Sequence, residues 1–169
     1  MEKNINDLQV LIDREQLNSR IKELAEEINN AYGTKETLTL ICVLRGAVMF
    51  CTQLAKSLKM PVKMEFVSLS SYGDSQKSSG EVKSLNLSLP SFENQNVLIV
   101  EDIVDTGFTL NTVMKILSDY HPASLAIATL LDKPSMRKVP DLKLDYIGFE
   151  IPAEFVVGFG LDYEEFYRQ

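Results

Sequence analysis

The sequence predicts an α/β domain on a mostly parallel sheet, and three observations predict it. Short apolar runs recur at residues 38–44, 97–100 and 125–131, as in strands buried on both faces. Between them lie segments whose apolar residues repeat at three- and four-residue spacing, the mark of amphipathic helices. The two kinds of segment alternate, and that alternation brings crossover connections and parallel pairing.

Taken in order, residues 8–12 form a short apolar piece of strand length. Asp13 stands three residues before Gln16, a capping-box pattern. Residues 15–32 place Leu17, Ile21, Leu24 and Ile28 on one face, with charge outside, and Gly33 supplies the stop. The strand at 38–44 ends in Arg45-Gly46, and residues 47–58 are helical, with Val48, Cys51, Leu54, Ala55 and Leu58 on one side. Residues 63–69 are another strand. Residues 70–83 are polar and rich in serine and glycine. That composition predicts a mobile loop, and loops this long inside compact domains are usually lids or disordered. Residues 84–89 alternate Leu85, Leu87 and Leu89 with polar residues, a half-exposed strand that Pro90 closes. The strand at 97–100 leads through an acidic, hydroxyl-rich loop into a helix reaching Tyr120, with Leu110, Val113, Met114 and Leu117 in register. Residues 125–131 form the next buried strand and deliver Asp132-Lys133-Pro134. Residues 140–145 connect onward, and 146–149 and 155–157 bracket Ile151-Pro152-Ala153.

At 169 residues and 45% apolar content the chain makes one globular domain with a real core. Its apolar runs are far shorter than a membrane span, and Met1-Glu2-Lys3-Asn4 lacks the apolar segment of a signal peptide. Cys42 and Cys51 fall in apolar surroundings, outside any C-x-x-C or Cys/His cluster, and read as reduced core thiols. A soluble cytoplasmic protein fits these features. The net charge of −7 disfavours a general nucleic-acid binder. It also requires any polyphosphate ligand to be met by local lysine, arginine or metal. The single histidine, His121, precedes Pro122 and reads as a turn residue. Histidine-based catalysis and zinc chemistry are therefore not expected.

The chemistry concentrates in residues 96–112, N-V-L-I-V-E-D-I-V-D-T-G-F-T-L-N-T. In open α/β sheets ligands bind beyond the carboxyl ends of the strands. A helix start offers unpaired N–H groups and the positive end of a dipole, which suit a phosphate. Gly107 allows close backbone approach. Thr106 and Thr109 add hydroxyl donors, and Thr109 can also cap the helix. The adjacent carboxylates Glu101 and Asp102 suit sugar hydroxyls or a hydrated magnesium ion. Together these groups describe a site for a sugar phosphate. Arg45 ends its strand before a second helix and can meet phosphate in bidentate fashion. Lys133, at the end of a third strand, is placed to point into the same site.

V-L-I-V-E-D-I-V-D-T-G-F-T-L, at 97–110, resembles the phosphoribosyl-pyrophosphate signature of the type I phosphoribosyltransferases. Its E-D-x-x-D-T-G form is similar to the 6-oxopurine branch, the hypoxanthine-guanine phosphoribosyltransferases. L-R-G at 44–46, S-S-Y-G at 70–73, L-L-D-K-P at 130–134 and F-V-V-G-F-G-L-D-Y at 155–163 extend the resemblance from about Leu8 to Arg168.

The resemblance implies a single domain over residues 1–169. It implies a small hood over the sheet from the two chain ends, about 1–12 and 146–169, and a mobile lid at 70–83. It implies transfer of a 5-phosphoribosyl group from phosphoribosyl pyrophosphate to hypoxanthine or guanine in purine salvage. It further implies Mg2+ as cofactor, a homodimer or homotetramer, and neither nucleic-acid nor membrane partners. Glu101 and Asp102 would hold the ribose hydroxyls and orient magnesium, and Asp162 would serve a second magnesium. Asp105, Thr106, Gly107 and Thr109 would cradle the 5′-phosphate. Asp105, near the purine N7, would also be the general acid/base. Arg45 and Gly46, after a Leu44–Arg45 peptide bond that can be cis, would bind pyrophosphate together with Arg168. Ser71 and Tyr72 would close over it as lid residues. Lys133 would donate to the purine 6-oxo oxygen, Phe155 would stack on the base, and Val156 would contact it through its backbone. Relatives usually continue beyond the arginine that Arg168 matches, whereas this chain stops at Gln169, which sets Arg168 beside a carboxylate. Two further readings stay open: a non-catalytic nucleotide-sensing regulator on the same fold, and a xanthine-preferring transferase. The charge and the intact Asp105, Lys133 and Asp162 argue against the regulator.

Overall fold

Leu38–Leu44 (β1) is an interior strand of the sheet, with all seven residues buried or nearly so. The computed structural model describes residues 8–68 and 90–169. Around β1 the chain runs α1 (Arg14–Tyr32), α2 (Val48–Ser57), β2 (Val62–Ser68), β3 (Asn96–Val104), α3 (Phe108–Ser118), β4 (Ser124–Asp132), a 3-10 turn (Pro134–Met136) and β5 (Tyr146–Glu150). Among the described residues the strands form one five-stranded sheet in the order β2-β1-β3-β4-β5, and every pairing is parallel.

From β1 the chain crosses through α2 to β2 on one side. From β3 it crosses through α3 to β4 on the other. Crossovers are right-handed, so α2 and α3 cover opposite faces. Side chains alternate along β1 accordingly. Leu38, Leu40 and Cys42 pack with Ile21, Leu24, Phe50 and Leu54 of α1 and α2. Ile41 and Val43 pack with Leu110, Val113 and Leu117 of α3. The reversal of direction between β1 and β3 leaves a crevice at their carboxyl ends, where open α/β sheets bind ligands.

The local signals act as the sequence suggests. Asp13 accepts from the Gln16 N–H at 2.8 Å, and the Asp13 N–H donates to Gln16 Oε1 at 2.9 Å, closing the capping box. Gly33 stops α1 in left-handed backbone (φ 72°). Arg20 donates to the carbonyls of Gly148 and Ile147 at 2.9 and 2.8 Å, which anchors α1 to the edge strand β5. Cys42 and Cys51 are buried free thiols. His121 lies in a turn with φ 52°. Among the described residues no helix is long and apolar enough to cross a membrane.

Two expectations change, at residues 8–12 and at the end of β3. Residues 8–12 form no strand, since no described strand lies alongside to take their backbone groups, and Leu8 and Val10 are exposed. Residues 155–157 are irregular, and the tail beyond them carries only the isolated bridges Gly158–Leu161 and Tyr163–Phe166. β2 is a half-exposed edge strand. β3 does not end before its acids but continues to Val104, because Ile103 and Val104 pair with Leu131 and Asp132. The proposed lid at 70–83 with Ser71 and Tyr72, and the strand at 84–89, lie outside the described residues.

Candidate active site

A cavity of about 510 Å3 opens at the carboxyl ends of β1 and β3. Its walls are the β1 turn (Leu44, Arg45, Gly46), the acidic end of β3 (Glu101, Asp102), the loop into α3 (Asp105, Thr106, Gly107, Thr109), and Asp162 with Arg168 from the tail. Eleven residues named from the sequence for ribose, phosphate, pyrophosphate and metal thus meet at one place, counting Leu44.

The β1 turn is built for close approach. The Leu44–Arg45 peptide bond is cis. A Cβ at Gly46 would overlap the Asp102 carboxylate. A Cβ at Gly160, itself in left-handed backbone (φ 106°), would overlap the Gly46 carbonyl. Turn, strand end and tail therefore touch through two glycines: a side chain at Gly160 would part tail and turn, and one at Gly46 would displace the Asp102 carboxylate.

Gly107 opens α3 with φ 84° and ψ −2°, and no side chain caps that end. The first-turn N–H groups are left to a ligand. Thr109 lies inside the helix and is not its cap, because Gly107 already occupies that position. Thr106 Oγ1 is at 3.5 Å from the Phe108 N–H, a long contact.

Glu101 is only 5% exposed. Burial, then the charge of Asp102, push its carboxyl well above the ordinary carboxylate range. Its Oε1 accepts the Asp102 N–H at 3.2 Å, and Asp102 Oδ1 accepts the Ile103 N–H at 2.8 Å. Among the described residues no three histidine, cysteine or acidic side chains gather into a metal cage. A neighbouring carboxylate pair nevertheless fits magnesium, which is commonly held by one or two carboxylates while water and substrate phosphates complete its shell. A cation arriving there would favour the ionised form of Glu101.

Lys133, 8% exposed, reaches Asp105 Oδ1 with its Nζ at 3.0 Å. That oxygen is buried and makes no hydrogen bond among the described residues. The general acid/base and the 6-oxo donor named from the sequence are thus one ion pair. The two residues expected at the base stand apart. Phe155 and Val156 line a wider, apolar cavity of about 1190 Å3, shared with residues 8–12 and Leu131. Phe155 is 55% exposed and meets Tyr163 edge-on, at 5.9 Å between ring centroids.

The two arginines expected at pyrophosphate are already engaged by the tail. Arg45 pairs with Glu165 at 2.7 Å. Arg168 pairs with Asp162 at 2.9 Å and donates to the Gly160 carbonyl at 2.6 Å. The second Asp162 oxygen accepts the Glu165 N–H at 2.8 Å. Sequence reasoning missed Glu165, Gly160 and the buried Asp132–Arg137 pair beside Lys133. No periodicity signals which residue Glu165 or Gly160 meets across the fold, and the five-residue spacing of Asp132 and Arg137 matches no helix or strand repeat.

A family model described as a phosphoribosyl transferase domain matches residues 12–164. The chain is 46% identical over 164 residues to a hypoxanthine-guanine phosphoribosyltransferase of Mycobacterium avium, across 94% of this chain and 80% of that protein. A crystal structure of a hypoxanthine-guanine phosphoribosyltransferase from Bacillus anthracis, with HEPES in its active site, superposes with a TM-score of 0.86 at 39% identity. The match covers 96% of this chain and 94% of that one. The hypoxanthine phosphoribosyltransferase of Trypanosoma cruzi, in complex with its product IMP, superposes with a TM-score of 0.86 at 43% identity, across 95% and 89% of the two chains. The parallel sheet, the cavity at its switch point and these matches place the chain in the phosphoribosyltransferase family, in its hypoxanthine-guanine branch.

Proposed function

We propose that the chain is a purine-salvage transferase. It moves the 5-phosphoribosyl group of phosphoribosyl pyrophosphate to hypoxanthine or guanine, and releases IMP or GMP and pyrophosphate. One observation carries this reading: an uncapped helix start at Gly107, a carboxylate pair at Glu101 and Asp102, and Asp105, itself paired with Lys133, border one crevice. Those groups suit a phosphate, a ribose and a 6-oxopurine respectively.

In the reaction a purine nitrogen attacks the anomeric carbon as the bond from that carbon to the pyrophosphate oxygen breaks. The electron pair leaves with pyrophosphate, and positive charge develops on the ribose ring. Glu101 and Asp102 hold the ribose hydroxyls. The amides from Thr106 to Thr109 and the two threonine hydroxyls hold the 5′-phosphate. Asp105 takes the proton that the purine loses. Lys133 donates to the 6-oxo oxygen, and Phe155 and Val156 supply the base platform and a backbone contact. Glu101 and Asp102, with Asp162 at a second position, would hold magnesium, which would supply charge neutralisation at the leaving group. Arg45, Gly46 and Arg168 contact pyrophosphate once the tail acids yield it. Ser71 and Tyr72 cover it as a lid and keep water from the reactive ring. The enzyme works in the cytoplasm as a homodimer or homotetramer.

Pyrophosphate release, measured with each purine and with or without magnesium, tests the proposal. Release with hypoxanthine or guanine that depends on magnesium is expected. Nucleotide binding without release would make the chain a regulator. Xanthine turning over fastest would change the assigned base.

A further inference from the structure

We infer that Arg137 is a positioning residue for the phosphate loop at 105–109, acting through Gly107 and Asp132. The inference rests on reading that loop as the 5′-phosphate seat.

The segment after β4 folds back against the loop and is tied to it three times. The Lys133 N–H donates to the Val104 carbonyl at 2.9 Å, Lys133 Nζ meets Asp105 at 3.0 Å, and the Lys138 N–H donates to the Thr106 carbonyl at 3.0 Å. Arg137 stands inside this buttress. Its stem lies directly behind Gly107, where an added Cβ would come within 3.1 Å of Arg137 Cδ and 3.0 Å of Leu142 Cδ2. Its guanidinium turns inward to pair with Asp132, a buried carboxylate in register with Val104. Nη1 also reaches the Leu142 carbonyl at 3.4 Å, while Nε is buried without a hydrogen-bond partner among the described residues.

An arrangement like this is a poor choice for stability alone. A buried ion pair is often matched or bettered by apolar residues of the same volume, and an unsatisfied buried N–H adds a cost. What it does provide is a fixed stem. With the guanidinium anchored on Asp132, the last residue of β4, the stem forms a rigid floor under the left-handed Gly107. The amides that face the phosphate are then held at one height. The same anchor fixes Asp132, the neighbour of Lys133, and so keeps the Lys133–Asp105 pair aligned with the loop. Arg137 touches no substrate; it sets where the loop's donors point.

The test compares R137A, which removes floor and anchor, with R137M, which keeps most of the floor. Binding of IMP and of inosine, which is IMP without its phosphate, is measured by calorimetry for each protein, with the Michaelis constants for phosphoribosyl pyrophosphate and hypoxanthine. R137A should weaken IMP binding and raise the phosphoribosyl-pyrophosphate constant about tenfold or more, as small misplacements of binding groups do. Inosine binding and the hypoxanthine constant should move less than about twofold, and R137M should fall between wild type and R137A. If R137A does not fold, R137M carries the test with the same expected selectivity. A folded variant that binds IMP as wild type does overturns the inference. So does equal loss of IMP and inosine, which marks general loosening. Wild-type protein that ignores IMP overturns the functional reading itself, and the inference with it.

Discussion

Asp105 is the residue on which the proposed chemistry turns. The buried Oδ1 lies against Lys133, so the carboxylate is oriented before any base arrives. Asp105→Asn keeps the size and removes the proton acceptor. Turnover should fall on the order of 10²-fold or more, with phosphoribosyl-pyrophosphate binding largely kept. Single-turnover rates set beside equilibrium binding check this, and an unchanged rate would remove Asp105 as acid/base. Lys133 bears on base choice, because lysine donates and cannot accept. Adenine, whose 6-amino group is itself a donor, should be rejected in competition with hypoxanthine. Gly46 makes a purely steric demand. Gly46→Ala places a methyl group in the Asp102 carboxylate, so that carboxylate must leave its place in the cavity. Activity should drop by about 10²-fold, since ångström-scale misplacement has that effect. A crystal structure of the variant with an undisturbed Asp102 would contradict it.

Among the elements, the tail has the least regular backbone. Phe159, Glu164, Glu165 and Tyr167 all take positive φ, between 49° and 70°, and left-handed backbone is disfavoured for residues with a Cβ. Arg168 holds the segment through Gly160 and Asp162, and Glu165 holds it through Arg45. A carboxylate thus stands where the pyrophosphate is proposed to bind. Both side chains of the Arg45–Glu165 pair are more than two-thirds exposed, at 69% and 73%, so solvent and salt weaken it. Its loss should therefore help the substrate only modestly. Glu165→Gln should lower the Michaelis constant for phosphoribosyl pyrophosphate by about two- to fivefold at low salt, with the gain fading at high salt. Equal constants at every ionic strength would mean that the pair does not compete with substrate. Helix α3 contrasts with the tail. Its uncapped start at Gly107 leaves donors free without any competing acid in the first turn.

For the whole molecule, stability and activity separate cleanly. Two apolar clusters on opposite faces of the sheet carry the fold, and the described residues hold no three-ligand metal cage. Chelation of divalent ions should therefore stop phosphoribosyl transfer while leaving the melting temperature nearly unchanged. Magnesium with phosphoribosyl pyrophosphate should raise it, since a ligand that binds only the folded state stabilises it. A protein that melts early in chelator would show a structural metal. Much of this architecture was legible in the chain itself. The run at 38–44 is β1 to the residue, the Asp13–Gln16 capping box forms, and the acids, glycine and threonines of residues 101–109 line one cavity. These features are local: apolar periodicity, a cap, and donors at a helix start depend on residues within a few positions of one another. Contacts between distant segments were not legible. Arg45 with Glu165, Gly160 against Gly46, Arg137 beneath Gly107, and Phe155 in a separate cavity join segments tens of residues apart, and only the packed sheet brings them together. The sequence determined which elements form and which groups stand at strand ends, because hydrophobic pattern and backbone preference act along the chain. Tertiary structure alone decided which of those groups face each other, because a side chain's partners depend on the order of the strands and the side on which each crossover passes.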